Sequence, residues 1–103
     1  MSQIIPITVE DDAYAILLDA PLGLVSVSMD LRWRDAAAGW YLSASLPDGT
    51  SLAQGVRLSP GGPVALDLSV DGAPDGLLYC IGGDDLTVRQ RLGVSVFLAW
   101  VPS

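Results

Sequence analysis

Residues 25–34 read VSVSMDLRWR, and this stretch decides the fold class. Apolar and polar residues alternate along it without interruption. An alternation with a period of two is typical of a β-strand that buries one face and exposes the other. The stretch therefore predicts one long strand, in which Val27, Met29 and Leu31 face a core while Arg32 and Arg34 face outward.

The segments that follow continue this pattern. Residues 40–46 (WYLSASL) alternate again, and residues 51–58 (SLAQGVRL) can form the return strand. Pro47-Asp48-Gly49-Thr50 lies between them and has the composition of a tight turn, because proline presets φ and Asp-Gly accepts positive φ. We therefore expect a three-stranded antiparallel meander over residues 24–58.

Shorter apolar segments on both sides predict further strands. Strands are expected at residues 4–9, 13–18, 64–70, 77–81 and 94–101. Turns or loops are expected at residues 20–23, 60–63, 71–76 and 82–85, and a loop or single helical turn at 84–92. Short strands at regular spacing are typical of sandwiches and small barrels. The sequence thus predicts a single all-β domain over residues 1–103, a sandwich or partly closed barrel of about seven mostly antiparallel strands.

The charge composition restricts the possible functions. Twelve acidic residues face five arginines, with no lysine or histidine, for a formal charge of −7. Nucleic acid and anionic membranes would be repelled, so neither is expected as a partner. Without histidine or lysine the chain cannot build a Ser-His-Asp triad, a common zinc site, a P-loop or a Schiff base. No cofactor is expected.

Carboxylates are the remaining candidates for chemistry. A glycosidase pair could be sought among Asp30, Asp67, Asp84 and Asp85. A chain of this length leaves little room for a sugar cleft around them, so we predict that the protein is not an enzyme. Calcium is the better acidic hypothesis, with Asp67, Asp71 and Asp75 near glycines, although the spacing of an EF-hand is not met.

Two features bear on the compartment. The N-terminus lacks the basic segment and apolar run of a secretory signal, and no apolar run reaches the roughly 20 residues that span a bilayer. A soluble protein made in the cytoplasm is expected. The single cysteine, Cys80, excludes a disulfide within the chain, and its apolar neighbours predict a buried thiol.

Arginines and aromatic residues are the candidates for contacts with a partner. A guanidinium suits bidentate contacts to carboxylates of a neighbour, although Arg32 and Arg34 could instead pair locally with Asp30 and Asp35. Trp33 and Trp40 are expected in the core, where they could pair across their turn. The expected partner-binding residues are Arg32, Arg34, Tyr41, Arg57, Arg89, Arg91, Phe97 and Trp100.

The C-terminal segment 93–101 contains no charged residue. If this strand lay at a sheet edge, its unpaired backbone groups would accept a strand of another chain. We therefore hypothesise that the strand, or its partner face, is covered by a neighbouring protein. Trp100, close to its end, either closes the core or docks on that neighbour.

The order of short motifs along nearly the whole chain resembles the phage baseplate plug family. The matching motifs are Ile5-Pro6-Ile7, the strand–turn–strand of residues 31–42, Asp48-Gly49, Gly55-Val56-Arg57-Leu58, the loop 60–63, Gly76-Leu77-Leu78, Leu92-Gly93 and the apolar last strand with Trp100. Low Asn content and the lack of Lys depart from the family pattern.

The resemblance implies a structural protein of the virion, located in the tail baseplate of a contractile-tailed phage. It further implies several copies in contact with hub, tube and spike proteins, with no catalytic residues. The alternative is an independent β-sandwich module that binds a carbohydrate or calcium at its loops.

Overall fold

The computed structural model describes residues 3–9, 14–22, 25–82 and 89–102. These residues form eight strands: β1 (Gln3–Ile5), β2 (Ala15–Leu22), β3 (Val25–Arg34), β4 (Gly39–Ser45), β5 (Ser51–Arg57), β6 (Gly62–Pro63), β7 (Gly76–Gly82) and β8 (Val96–Pro102). Two 3-10 turns of three residues each, Asp35–Ala37 and Arg89–Arg91, are the only helical segments in the described ranges, and neither could cross a membrane.

The strands form two antiparallel four-stranded sheets. One, here called the meander sheet, has the order β2-β3-β4-β5, and the other, the terminal sheet, has the order β1-β8-β7-β6. The two are separate sheets and not a closed barrel, so the all-β prediction is confirmed in its sandwich form. The predicted meander is confirmed as well, with β3, β4 and β5 paired in sequence order.

The core lies between the sheets and follows the alternation of each strand. Val27, Met29 and Leu31 of β3 are all almost completely buried, as their positions in the pattern predict. Trp33 and Trp40 lie opposite each other in the β3–β4 register, with ring centroids 5.8 Å apart in an edge-to-face arrangement. The meander sheet thus buries one face because its sequence alternates.

Two predicted boundaries near β2 and β6 are wrong. Residues 20–22 of the expected turn at 20–23 form the end of β2, where Ala20 and Leu22 are buried and Pro21 pairs with Ser26, while residue 23 lies outside the described residues. Proline is tolerated there because β2 is an edge strand, where a missing N–H costs no ladder bond. The expected loop at 60–63 contains β6 instead.

The strand predicted over residues 64–70 does not form. Val64 donates its N–H to the Leu78 carbonyl, and the chain then leaves β7 so that Asp67 donates to the Leu52 carbonyl. The Asp67 carboxylate accepts hydrogen bonds from the backbone and side chain of Ser69, at 3.1 and 2.6 Å. Such a side-chain acceptor offers the backbone an alternative to a strand ladder and starts a turn.

Both terminal strands are shorter than predicted. β1 ends at Ile5, immediately before Pro6, and β8 begins only at Val96, after a turn at Gly93. β8 also lies between β1 and β7, so the idea that it forms a sheet edge is wrong. Of the expected loop or turn at 84–92, residues 89–91 form a single 3-10 turn, while 84–88 lie outside the described residues.

Candidate docking surfaces

The outward side of the terminal sheet is apolar over its whole width. None of its four strands contains a charged residue. Because Val96, Leu98 and Trp100 point into the core, the alternate residues of β8 point outward. The register places these residues beside the outward residues of β1 and β7, and together they form what we call the apolar face: Ile4, Leu77, Tyr79, Ile81, Phe97, Ala99 and Val101.

Exposure of the apolar face is substantial. Ile4, Leu77 and Ile81 are 51%, 46% and 40% exposed, while Ala99 is buried between its neighbours in the sheet. A single exposed apolar side chain is normal, but a contiguous patch framed by polar surface marks an interaction site. The apolar face therefore has the character of a docking surface for a protein.

The outward side of the meander sheet has the opposite character. Its outward positions carry Asp19 on β2, Asp30, Arg32 and Arg34 on β3, and Arg57 on β5. The two aspartates line one end of the sheet, and the arginines lie toward the other end, around Tyr41.

Arg34 and Arg57 both contact the ring of Tyr41, and we call these three residues the arginine–tyrosine cluster. The guanidinium carbon of Arg34 is 4.7 Å from the ring centroid, and that of Arg57 is 5.9 Å away. Such cation–π contacts hold a guanidinium over the aromatic ring. The cluster joins three of the residues that the sequence singles out for partner binding.

Three hydrogen bonds fix the Arg57 guanidinium, although it lies on the surface of the protein. It donates to the Ala37 carbonyl at 2.8 Å, the Ala38 carbonyl at 3.2 Å and the Tyr41 hydroxyl at 3.3 Å. Its guanidinium lies directly over Gly39, where an added Cβ would come within 2.8 Å of it. The turn between β3 and β4 and the glycine that follows it therefore form a cradle for this side chain.

Arg32 has a local partner, as the alternative interpretation predicts. It forms a two-bond ion pair with Asp30, with nitrogen–oxygen distances of 2.8 and 3.2 Å. This hydrogen bonding raises the pKa of Arg32 above its usual value. The other expected carboxylate, Asp35, instead accepts a hydrogen bond from the Trp33 indole at 2.6 Å.

The other expected partner-binding residues lie elsewhere. Phe97 is on the apolar face, half-buried among its neighbours. Trp100 is 1% exposed and packs in the core, so its ring adds nothing to the outer surface. Arg89 is 7% exposed, with its guanidinium over the Tyr14 ring, and Arg91 belongs to the same 3-10 turn.

A groove of about 880 Å³ with a mixed polar and apolar lining crosses the acidic end of the meander sheet. Its lining includes Asp19, Ser28, Asp30, Ser43, Ser45 and Ser51. No described lining residue is aromatic, so the groove offers no platform on which a sugar could stack. Nowhere in the described ranges do three acidic or cysteine side chains gather as a metal site would require, and Asp84 and Asp85 lie outside those ranges.

The residues predicted for partner binding do not include most of the apolar face, namely Ile4, Leu77, Tyr79, Ile81 and Val101. A signal was present, because residues 76–82 and 96–102 contain no charge on either alternate set of positions. A strand with one solvated face normally alternates apolar and polar residues. Apolar residues on both sets indicate that both faces are covered.

Comparison with protein families agrees with this architecture and with the motif order. The family model described as cyanophage baseplate Pam3 plug gp18 matches residues 2–103. The chain belongs to this baseplate plug family. The resemblance in the motif order is thereby confirmed, and the family description names a plug and no catalytic activity. Membership supports a place in the phage tail. A comparison with curated proteins found no match.

Proposed function

We propose that the chain is a structural plug protein of a phage tail baseplate that binds a neighbouring tail protein through the apolar face. The observation that carries the proposal is the charge-free terminal sheet, whose outward side chains are left partly exposed. Family membership supports a location in the phage tail. The neighbours that we propose as candidates are the hub, tube and spike proteins. Several copies per baseplate are part of the proposal.

The charge of the chain favours a different protein over a second copy as the occupant of this face. Two copies would each bring a formal charge of −7, and the terminal sheet has no charged residue to offset the repulsion. A neighbour with an apolar patch and a neutral or basic rim would meet no such penalty, because complementary potentials favour association. We therefore assign the face to a heterologous contact.

The test is co-expression with the tail hub protein of the same phage, followed by size-exclusion chromatography with light scattering. We expect the wild-type chain and the hub to co-elute as a complex of defined mass. The double variant Leu77→Ser/Ile81→Ser should weaken this complex at least about tenfold, because interface side chains near the centre of a patch contribute most of the binding energy.

The matched control is Leu17→Ser, since Leu17 is 75% exposed but lies on β2 of the other sheet. It should bind the hub like the wild type, and thermal melts should show that all variants fold. Unchanged hub binding by the double variant would contradict the proposal. So would a dimer of the chain alone that the double variant abolishes, because the face would then serve self-association.

A further inference from the structure

We propose that the arginine–tyrosine cluster is a carboxylate-binding site for an acidic segment of a partner protein. The cluster lies on the outward side of the meander sheet, whereas the apolar face belongs to the terminal sheet. The inference therefore does not depend on the function proposed for the apolar face.

Two positive charges of the cluster share one aromatic ring without a counter-ion among the described residues. The chain has twelve acidic residues for five arginines, yet in the described ranges no carboxylate pairs with Arg34 or Arg57. Arg32, the cross-strand partner of Tyr41, shows that a carboxylate can be placed on this face, because Asp30 neutralises it. Two neighbouring unpaired guanidiniums repel each other, and a bound carboxylate would relieve that repulsion.

The Arg57 side chain is held in place by hydrogen bonds and still has N–H groups that donate to no acceptor in these bonds. A guanidinium has five N–H donors, and the hydrogen bonds to Ala37, Ala38 and Tyr41 use Nη1 and Nη2 but not Nε. The Nε edge is the edge with which Arg32 binds Asp30 in this same protein. A side chain that is already ordered loses less entropy when it binds a ligand.

The number of guanidiniums in the cluster indicates the class of ligand that it would bind. Proteins that bind duplex DNA commonly neutralise several phosphates, of the order of six to ten, with a basic surface. Among the described residues, the cluster offers two guanidiniums without a carboxylate partner, beside the Asp30–Arg32 pair, in a chain of charge −7. Two guanidiniums match one or two carboxylates in bidentate geometry. An acidic protein segment therefore fits the cluster better than nucleic acid.

The test uses a hexaglutamate peptide as the probe, with the full chain and NMR detection of arginine Nε–H signals. We expect the peptide to shift the signals of Arg34 and Arg57 and to leave that of Arg32 nearly unchanged. Arg34→Gln should weaken binding at least about tenfold, as expected for the loss of one charge-assisted contact. The matched control Arg32→Gln removes the same charge from the same strand and should weaken binding less than about threefold.

A second variant separates geometry from charge. Gly39→Ala places a methyl group against the Arg57 guanidinium and should displace it, so we expect weaker peptide binding although every charge is kept. Equal losses in Arg34→Gln and Arg32→Gln would overturn the proposal, because they would indicate a general effect of net charge. No binding of the wild type at millimolar peptide, or tighter binding of a 20-base-pair duplex at the same salt concentration, would overturn it too.

Discussion

Trp40 and Trp100 are the two largest fully buried side chains, and they differ in one hydrogen bond. The indole nitrogen of Trp40 donates to the Arg89 carbonyl at 2.9 Å and so ties β4 to the 3-10 turn that precedes β8. The indole nitrogen of Trp100 is buried without an acceptor among the described residues. A buried donor that lacks a partner carries a desolvation penalty, whereas a satisfied one does not.

This difference predicts unequal costs for the same substitution. Trp40→Phe should lower the free energy of unfolding by about 1–2 kcal/mol more than Trp100→Phe, because only the first removes a buried hydrogen bond. Both variants lose a similar ring area, so each is the control for the other. Urea unfolding of the two variants measures the difference. Equal destabilisation, or a larger loss in Trp100→Phe, would show that the hydrogen bond to Arg89 is not important for stability.

Cys80 is a second residue whose behaviour follows from burial. Desolvation raises the pKa of its thiol to about 11, from an ordinary value near 9. At pH 8 the native thiolate fraction is then about a hundredfold lower than in the unfolded chain, and we expect iodoacetamide to label native Cys80 at least that much more slowly. Labelling in urea is the control, and similar rates with and without urea would contradict the buried thiol.

The same shift fixes the sign of a pH effect on stability. Between about pH 9 and 11 the folded protein retains a proton that the unfolded chain has lost. The contribution of Cys80 to stability is therefore fully present below about pH 9 and is lost as the pH rises through 11. Cys80→Ala should show a smaller decline in unfolding free energy over this range than the wild type does.

At the scale of elements, the entry into β8 depends on a glycine. Gly93 adopts a φ of +85° and donates its N–H to the Val96 carbonyl, and an added Cβ would clash with the Ile7 carbonyl oxygen. The turn before β8 therefore packs closely against the segment that follows β1. A side chain at position 93 is therefore excluded both by the backbone angle and by the neighbouring segment.

Gly93→Ala should accordingly be among the most destabilising single substitutions in this chain. The matched control is Gly61→Ala, because Gly61 has a similar φ of +100° but open space around its Cα. The control should cost about 1–2 kcal/mol from backbone strain alone. Gly93→Ala should cost clearly more, since backbone must also move. Thermal melts of both variants test this, and equal losses would mean that the contact with Ile7 relaxes freely.

At the scale of the whole molecule, the net charge of the chain and the apolar face have opposite effects on solubility. Charge repulsion from the formal charge of −7 keeps copies apart, while the apolar face favours their association. Salt screens the first effect, because the Debye length falls to about 3 Å at 1 M ionic strength, and does not weaken the second. The balance therefore depends on ionic strength.

We expect the solubility of the isolated wild-type chain to fall as sodium chloride rises from 0.05 to about 1 M. The Leu77→Ser/Ile81→Ser variant should remain soluble over the same range, because the apolar face is interrupted, while Leu17→Ser should behave like the wild type. Static light scattering at fixed protein concentration measures the effect. Salt-induced association that is identical in all three proteins would show that another surface is responsible.

The fold class, the meander and the family could all be predicted from the sequence. Alternation in residues 25–58 directly reflects which side chains face a core, and the turn at residues 47–50 is encoded locally by proline, aspartate and glycine. The outward position of Arg34 and Tyr41 follows from the same period of two. These features depend on neighbours along the chain, and for that reason they can be read from it.

Which strands lie side by side depends on contacts between distant segments and could not be predicted from the sequence. Residues 64–70 alternate like a strand, yet hydrogen bonds to Leu78 and Leu52 in different sheets draw them away from a ladder. The placement of β8 between β1 and β7, which creates the apolar face, depends on pairing between the two ends of the chain. Arg34 and Arg57 likewise reach the same Tyr41 ring only through the register of three strands. Such pairings are set by packing between distant segments, and local sequence periodicity carries no information about them.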